Sequence, residues 1–258
     1  MKAVIFAGGF GTRISEESKI KPKPMVEIGG KPILWHIMKI YSHYGIRDFV
    51  VCLGYKGHYI KEWFDKFDLH RSDAVIFDFK NNLRKLENKS LEDWRVTLVE
   101  TGEDTSTGGR LRKVKDYLDD DTFMLTYGDG VADIDILKLL RAHKDHGKIA
   151  TMTSIIPKPR FGTLDVDENN RVSAFREKKH GGSRINGGFF VLEPAVFKYL
   201  DNDKVPFEHA PLENLVKDKH LYAYCHDGFW MPMDTLNDKN VLESMWKSGN
   251  APWKIWRA

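Results

Sequence analysis

An apolar run over residues 3–6 opens the chain, and the next comparable run comes only after a long tract of glycine, proline and charge. There Ile33, Leu34, Ile37, Met38 and Tyr41 recur at helical spacing behind Pro32 and stop at Gly45, which predicts a strand, a long loop and a helix. Residues 48–53 (DFVVCL) read as a second buried strand, and Tyr59, Ile60, Trp63, Phe64 and Phe67 share one face of a following helix. Stretches 95–99 and 122–127 predict further strands, 134–146 a helix and 149–156 another strand. Alternation of this kind predicts an α/β fold, a mostly parallel sheet flanked by helices.

The second half changes character. Residues 162–166, an Asn169-Asn170 turn, 172–175 and 187–192 predict antiparallel strands, closed by helices near 212–217 and 236–247. The expectation is one α/β domain carrying a smaller antiparallel substrate lobe. Stretch 68–93 is too long and charged for an ordinary connection, so it is an excursion with its own hairpin, a mobile lid or an oligomer contact. The tail 252–258 carries Trp253 and Trp256 on a polar end, which predicts docking on the body or on a neighbouring subunit.

With 258 residues, 41% hydrophobic and 30% charged, the chain has enough apolar material for one sizeable core. No apolar run nears the ~20 residues that span a bilayer, and Met1 leads directly into Lys2 and the first strand. The expectation is a cytoplasmic protein without a membrane partner. Forty basic and 37 acidic side chains are spread along the chain, leaving +3 and no basic stripe, so nucleic acid is not an expected partner. Cys52 and Cys225 lack metal-ligand spacing and read as small buried hydrophobes.

The candidate chemistry starts where the first strand ends, at Gly8-Gly9-Phe10-Gly11-Thr12-Arg13. In α/β proteins ligands bind at that edge of the sheet, and the glycines let a phosphate reach backbone N–H groups. Arg13 offers a planar cationic fork. Lys23, between Pro22 and Pro24, is expected on an extended segment as a compact cation facing the same anion. The spacing is neither a P-loop nor G-x-G-x-x-G, which weakens kinase and dehydrogenase readings.

Asp129, between Gly128 and Gly130 at a strand end, suits a hard cation held against phosphates, or a plain turn. Asp234, between an apolar strand and a helix, is an N-cap, a second carboxylate for the same cation, or both. Glu177, Lys178 and Lys179 form a charged run that is either solvated or a sugar-phosphate subsite, and Gly162, Asn186, Gly187 and Gly188 supply close approach. The loop 101–110 (TGEDTSTGGR), with Gly108 and Gly109, is a candidate for base and ribose contact or a flexible lead into a helix.

Together the 8–13 loop, PKPMVEIGGKP at 22–32, the Tyr127–Gly130 turn, Glu177-Lys178 and residues 230–235 resemble the sugar-1-phosphate nucleotidyltransferases over nearly the whole chain. The resemblance implies one Rossmann-like domain, with a nucleotide half about 1–130 and a sugar-phosphate half about 131–258. It implies transfer of a nucleotidyl group from an NTP to a sugar 1-phosphate, with CTP and glucose 1-phosphate as the expected pair and Mg²⁺ as cofactor. Nucleotide contacts fall on Phe6, Ala7, Gly8, Gly9, Phe10, Gly11, Thr12, Arg13, Lys23 and Gly128. Arg13, Lys23 and Asp129 become catalytic residues, Asp129 and Asp234 the metal ligands, and Gly162, Glu177, Lys178, Lys179 and Asn186 the sugar-phosphate contacts. The resemblance further implies a homo-oligomer that supplies deoxysugar precursors for surface polysaccharide, and no β-helix extension is expected. The stretch after Arg13, Ile-Ser-Glu-Glu-Ser, departs from the thymidylyl and uridylyl pattern, which puts base choice more than chemistry in question; the alternatives are a uridylyl- or thymidylyltransferase on the same scaffold and a non-catalytic nucleotide-sugar sensor.

Overall fold

Strands that must hide both faces from water read as unbroken apolar runs, and the first half of the chain is built from them. The computed structural model describes residues 1–11, 21–87, 92–157, 162–176 and 183–256. Seven strands form the main sheet: β1 (Lys2–Phe6), β2 (Asp48–Leu53), β3 (Arg95–Glu100), β4 (Phe123–Tyr127), β5 (Ala150–Ile155), β6 (Ile185–Leu192) and β7 (Leu221–His226). Their spatial order is β7-β5-β6-β4-β1-β2-β3. Strands β4, β1, β2 and β3 run parallel, β6 is antiparallel to both its neighbours, and β7 is parallel to β5. Alternate residues feed two cores: Ala3 and Ile5 join the cluster on one face, Val4 and Phe6 the other.

The helices are α1 (Ile33–His43), α2 (Gly57–Asp65), α3 (Phe67–Arg71), α4 (Thr107–Lys113), α5 (Ile136–His146), α6 (Ala210–Lys217) and α7 (Leu236–Lys247). Helix α1 follows Pro32 as its N-cap and is stopped just before Gly45, whose φ of 83° lets Gly45 and Ile46 donate back to Ser42 and Tyr41. The mixed α/β class and the mostly parallel sheet are as the sequence predicts. The 187–192 stretch, expected in the antiparallel lobe, is antiparallel but lies inside the main sheet as part of β6, between β4 and β5. Outside it stand short ribbons, among them Thr163–Val166 with Val172–Arg176.

The 68–93 excursion holds most of α3 and a hairpin of Ala74–Asp78 with Leu83–Glu87, its apolar side chains Ile76, Phe77 and Phe79 exposed. Cys52 is buried, and burial pushes its thiol up to about 12. Cys225 departs from expectation: it is exposed, because β7 is an edge strand covered incompletely. Both thiols are free.

The tail docks on the body. Trp253 is fully buried, stacked near Phe229 and Trp246, and its Nε1–H donates to His36 Nδ1 at 3.3 Å. The other nitrogen, His36 Nε2, donates to the Ile28 carbonyl at 2.8 Å. The ring is thus fixed as the neutral Nε2–H tautomer on α1, buttressing the 23–32 loop from behind. Burial is the main reason its pKa falls to about 4. Since the unfolded chain takes up this proton near pH 6.5 and the folded chain near 4, stability is full above 6.5 and is lost as pH falls through 4. The loss reaches roughly 3 kcal/mol. A falling denaturant midpoint over that window, with the His36 ring titrating near 4 by NMR, is the expected result; titration near 6.5 contradicts it.

Candidate active site

At the carboxyl end of β1 and β4 the chain leaves an open cavity of about 590 Å³, within the usual range for small-molecule sites. One wall is the expected glycine loop, with Phe6, Ala7, Gly8, Gly9, Phe10 and Gly11 all lining it. Lys23, Gly128, Asp129 and Asp234 line it as well. These residues come from three distant parts of the chain, and the backbone explains how they meet.

Strand β4 ends at Tyr127, and Gly128 donates to the Phe6 carbonyl at 2.9 Å; a Cβ at Gly128 would stand 2.6 Å from that oxygen, so only glycine fits. The chain then turns at Asp129 into Gly130–Ala132, which pairs antiparallel with Trp230–Pro232. Pro232 faces Gly130 in this ribbon, and the Met233 N–H closes it on the Asp129 carbonyl at 2.8 Å. Asp129 and Asp234 are therefore neighbours across the ribbon's end. Asp234 does not cap α7. Thr235 does, in a reciprocal capping box with Asp238.

Lys23 completes the group. It was expected on an extended segment, but Lys23–Met25 is a 3₁₀ turn. The hydrogen bonds Met25 N–H to Pro22 O and Val26 N–H to Lys23 O outweigh the bias that Pro24 imposes on its predecessor. The turn aims the lysine inward, where Nζ lies 2.6 Å from Asp129 Oδ2 and 2.7 Å from Asp234 Oδ1. Burial penalises the ammonium, yet Asp129 and then Asp234 more than offset this and hold its pKa above the ordinary lysine value.

For Mg²⁺ the donor set fits. Both carboxylates reach one point in space, the one Nζ now bridges, and Mg²⁺ commonly takes one or two carboxylates with phosphates and water completing its shell. Among the described residues no cluster of three ligating side chains occurs, so these two carboxylates make a partial shell.

The cation beneath the glycine loop is Arg110, the last residue of the 101–110 stretch, and no spacing in the sequence marks it as that loop's partner. It is 4% exposed on α4, and its guanidinium donates to the carbonyls of Gly8 (2.9 Å), Leu53 (2.9 Å) and Glu103 (3.0 Å) and to Thr101 Oγ1 (2.6 Å). A Cβ at Gly8 would collide with it. Gly108 and Gly109 do not line the cavity. They lie in α4, where a Cβ would run into the backbone of Val205 and Asp203, so their smallness serves helix packing. The loop before them does reach the site, through Glu103, Asp104, Thr105, Ser106 and Thr107.

Glu208 and Tyr127 also line the cavity and were not anticipated as contacts. Gly162 and Asn186 do not line it, though Asn186 Nδ2 donates to Tyr127 OH at 3.1 Å. Thr12, Arg13, Glu177, Lys178 and Lys179 lie outside the described residues.

The family model described as Nucleotidyl transferase matches residues 2–239. A glucose-1-phosphate cytidylyltransferase of Salmonella typhi is 55% identical over 258 residues, 99% of this chain and 100% of the relative. A probable glucose-1-phosphate cytidylyltransferase of Bacillus subtilis is 48% identical over 259 residues, with 99% and 100% covered. Among solved structures, HddC from Yersinia pseudotuberculosis complexed with GMP-PN superposes with a TM-score of 0.69 at 25% identity, covering 95% of this chain and 99% of that one.

The Arg110 geometry yields a stability prediction. Arg110→Lys keeps the charge but not the planar fork, leaving buried acceptors unpaired at a cost of roughly 1–3 kcal/mol. A chemical denaturation midpoint shifted down accordingly is expected; an unchanged midpoint contradicts the role.

Proposed function

The chain belongs to the nucleotidyl transferase family, and we propose that it transfers a cytidylyl group from CTP to α-D-glucose 1-phosphate, giving CDP-glucose and pyrophosphate. Full-length likeness to glucose-1-phosphate cytidylyltransferases supports the choice of substrates. The observation that carries the chemistry is the bridged group of Lys23, Asp129 and Asp234 at the floor of a cavity walled by a glycine loop.

In this reading a phosphate oxygen of glucose 1-phosphate attacks the α-phosphorus of CTP in line and pyrophosphate leaves. A phosphate dianion is already nucleophilic, so no general base is required, and catalysis is positioning plus neutralisation of moving charge. The backbone of the 8–11 loop, stiffened by Arg110, takes the triphosphate. Lys23 leaves one carboxylate contact to face the anionic groups near the α-phosphorus, and Arg13 meets the departing pyrophosphate. Asp129 and Asp234 would hold Mg²⁺, which when bound would neutralise and orient the phosphates. Lys178 or Lys179 receives the incoming phosphate, and Gly162, Glu177 and Asn186 receive the hexose.

The chain acts as one domain whose halves, about 1–130 and 131–258, serve nucleotide and sugar phosphate. The exposed Phe77 and Phe79 on the 74–87 hairpin support a homo-oligomer, since apolar side chains on a projecting ribbon are readily covered by a second copy. Among the described residues no helix is long and apolar enough to cross a membrane. We infer from the likeness to the cytidylyltransferases a cytoplasmic enzyme that supplies deoxysugar precursors for surface polysaccharide.

Pyrophosphate release with Mg²⁺, glucose 1-phosphate and each NTP in turn tests this reading: selective release with CTP is expected, and release only with another NTP overturns it. Lys23→Ala and Asp234→Ala are expected to lower turnover by about a hundredfold or more while circular dichroism stays unchanged. Near-normal turnover in either variant removes that residue from the mechanism.

A further inference from the structure

Glu208 follows a segment, 203–207, that packs against α4 and has no place in the chemistry above. Its carboxylate lines the cavity and accepts two short hydrogen bonds, from Tyr127 OH and from Thr107 Oγ1, both at 2.5 Å. The direction of each bond is fixed by what lies behind it.

Phe207 N–H donates to Thr107 Oγ1 at 2.8 Å, so the threonine's own proton is left for Glu208. Asn186 Oδ1 accepts from Gly188 N–H at 2.8 Å, which turns its amide so that Nδ2 donates to Tyr127 OH, and the phenol proton is again left for Glu208. Burial, reinforced by Glu208, raises the Tyr127 pKa, so that proton stays on the ring oxygen. Two chains of donors thus end on one acceptor. The Thr107 branch starts at Phe207 N–H and passes through the first residue of α4, which continues the cavity-lining loop 103–106, the candidate for base and ribose contact; the Tyr127 branch leads back to Asn186 on β6.

We propose that Glu208 is a positioning residue that locks the nucleotide wall and the sugar side of the cavity into one arrangement, by holding Thr107 and Tyr127 on its two carboxylate oxygens. The inference rests on the nucleotidyl transfer reading, in which Asn186 belongs to the sugar side. A glutamine at 208 has nearly the same shape but turns an NH₂ toward one of two hydroxyls that both need an acceptor. One branch must then break or invert.

The test is steady-state kinetics of the full-length protein with CTP, glucose 1-phosphate and Mg²⁺. Tyr127→Phe cuts only the sugar branch and is expected to raise KM for glucose 1-phosphate about tenfold with KM for CTP within about twofold; Thr107→Val is expected to do the reverse. Glu208→Gln is expected to raise both. A Glu208→Gln protein that loses active fraction while both KM values stay unchanged has a structural residue at 208 and overturns the proposal, as does a pair of single-branch variants without opposite KM signatures. If Glu208→Gln does not fold, that pair decides the matter alone. Absence of turnover in the unsubstituted protein instead overturns the substrate reading and is thereby told apart from failure of the positioning role.

Discussion

The site depends on one ammonium group held by two carboxylates. Lys23 lies 106 residues from Asp129 and 211 from Asp234 in sequence, and its Nζ joins all three segments at a single point. A buried lysine left alone would lose its charge; the two aspartates beside it more than offset the burial and hold it charged. Several local features serve this contact. The Gly130–Ala132 ribbon puts the two aspartates side by side, the 3₁₀ turn at Lys23 aims the lysine, and His36 with Trp253 supports the loop behind it.

The same contact explains how the site can be stable before substrate arrives and still be reactive afterwards. In the proposed reaction Asp129 and Asp234 would hold the divalent cation, and incoming phosphates would offer the lysine another anion in exchange for a carboxylate. Arg110 has a different job. Its guanidinium is committed to three carbonyls and a hydroxyl, so it stiffens the glycine loop and lends it positive potential without having to move.

How much of this could be read from the sequence follows from how local each cause is. The runs that became β1, β2 and β4 and the spacing that became α1 are set by burial on known faces, and the sequence displays them directly. Asp129 and Asp234 were legible because glycine, proline and strand ends mark where a side chain can reach a ligand. Cys225 is exposed where its local pattern suggests burial, because an edge strand has the same pattern as a covered one. The backbone at Lys23 differs from the extended form that Pro24 favours, because the hydrogen bonds of the turn are not visible in that local bias. Arg110 and Glu208 were invisible for a stronger reason. Their partners, Gly8 and Thr107, lie 102 and 101 residues away, and no spacing rule announces contacts made by folding alone.

In the proposed reaction this group of charges holds two phosphates in line, with no protein atom bonded to the cytidylyl group along the way. The stereochemical course at the α-phosphorus tests it most directly, using CTP made chiral there by one sulfur in place of oxygen and the configuration of the CDP-glucose product. A single in-line attack by glucose 1-phosphate predicts inversion. Retention would contradict the account, because it demands two displacements and a covalent enzyme intermediate.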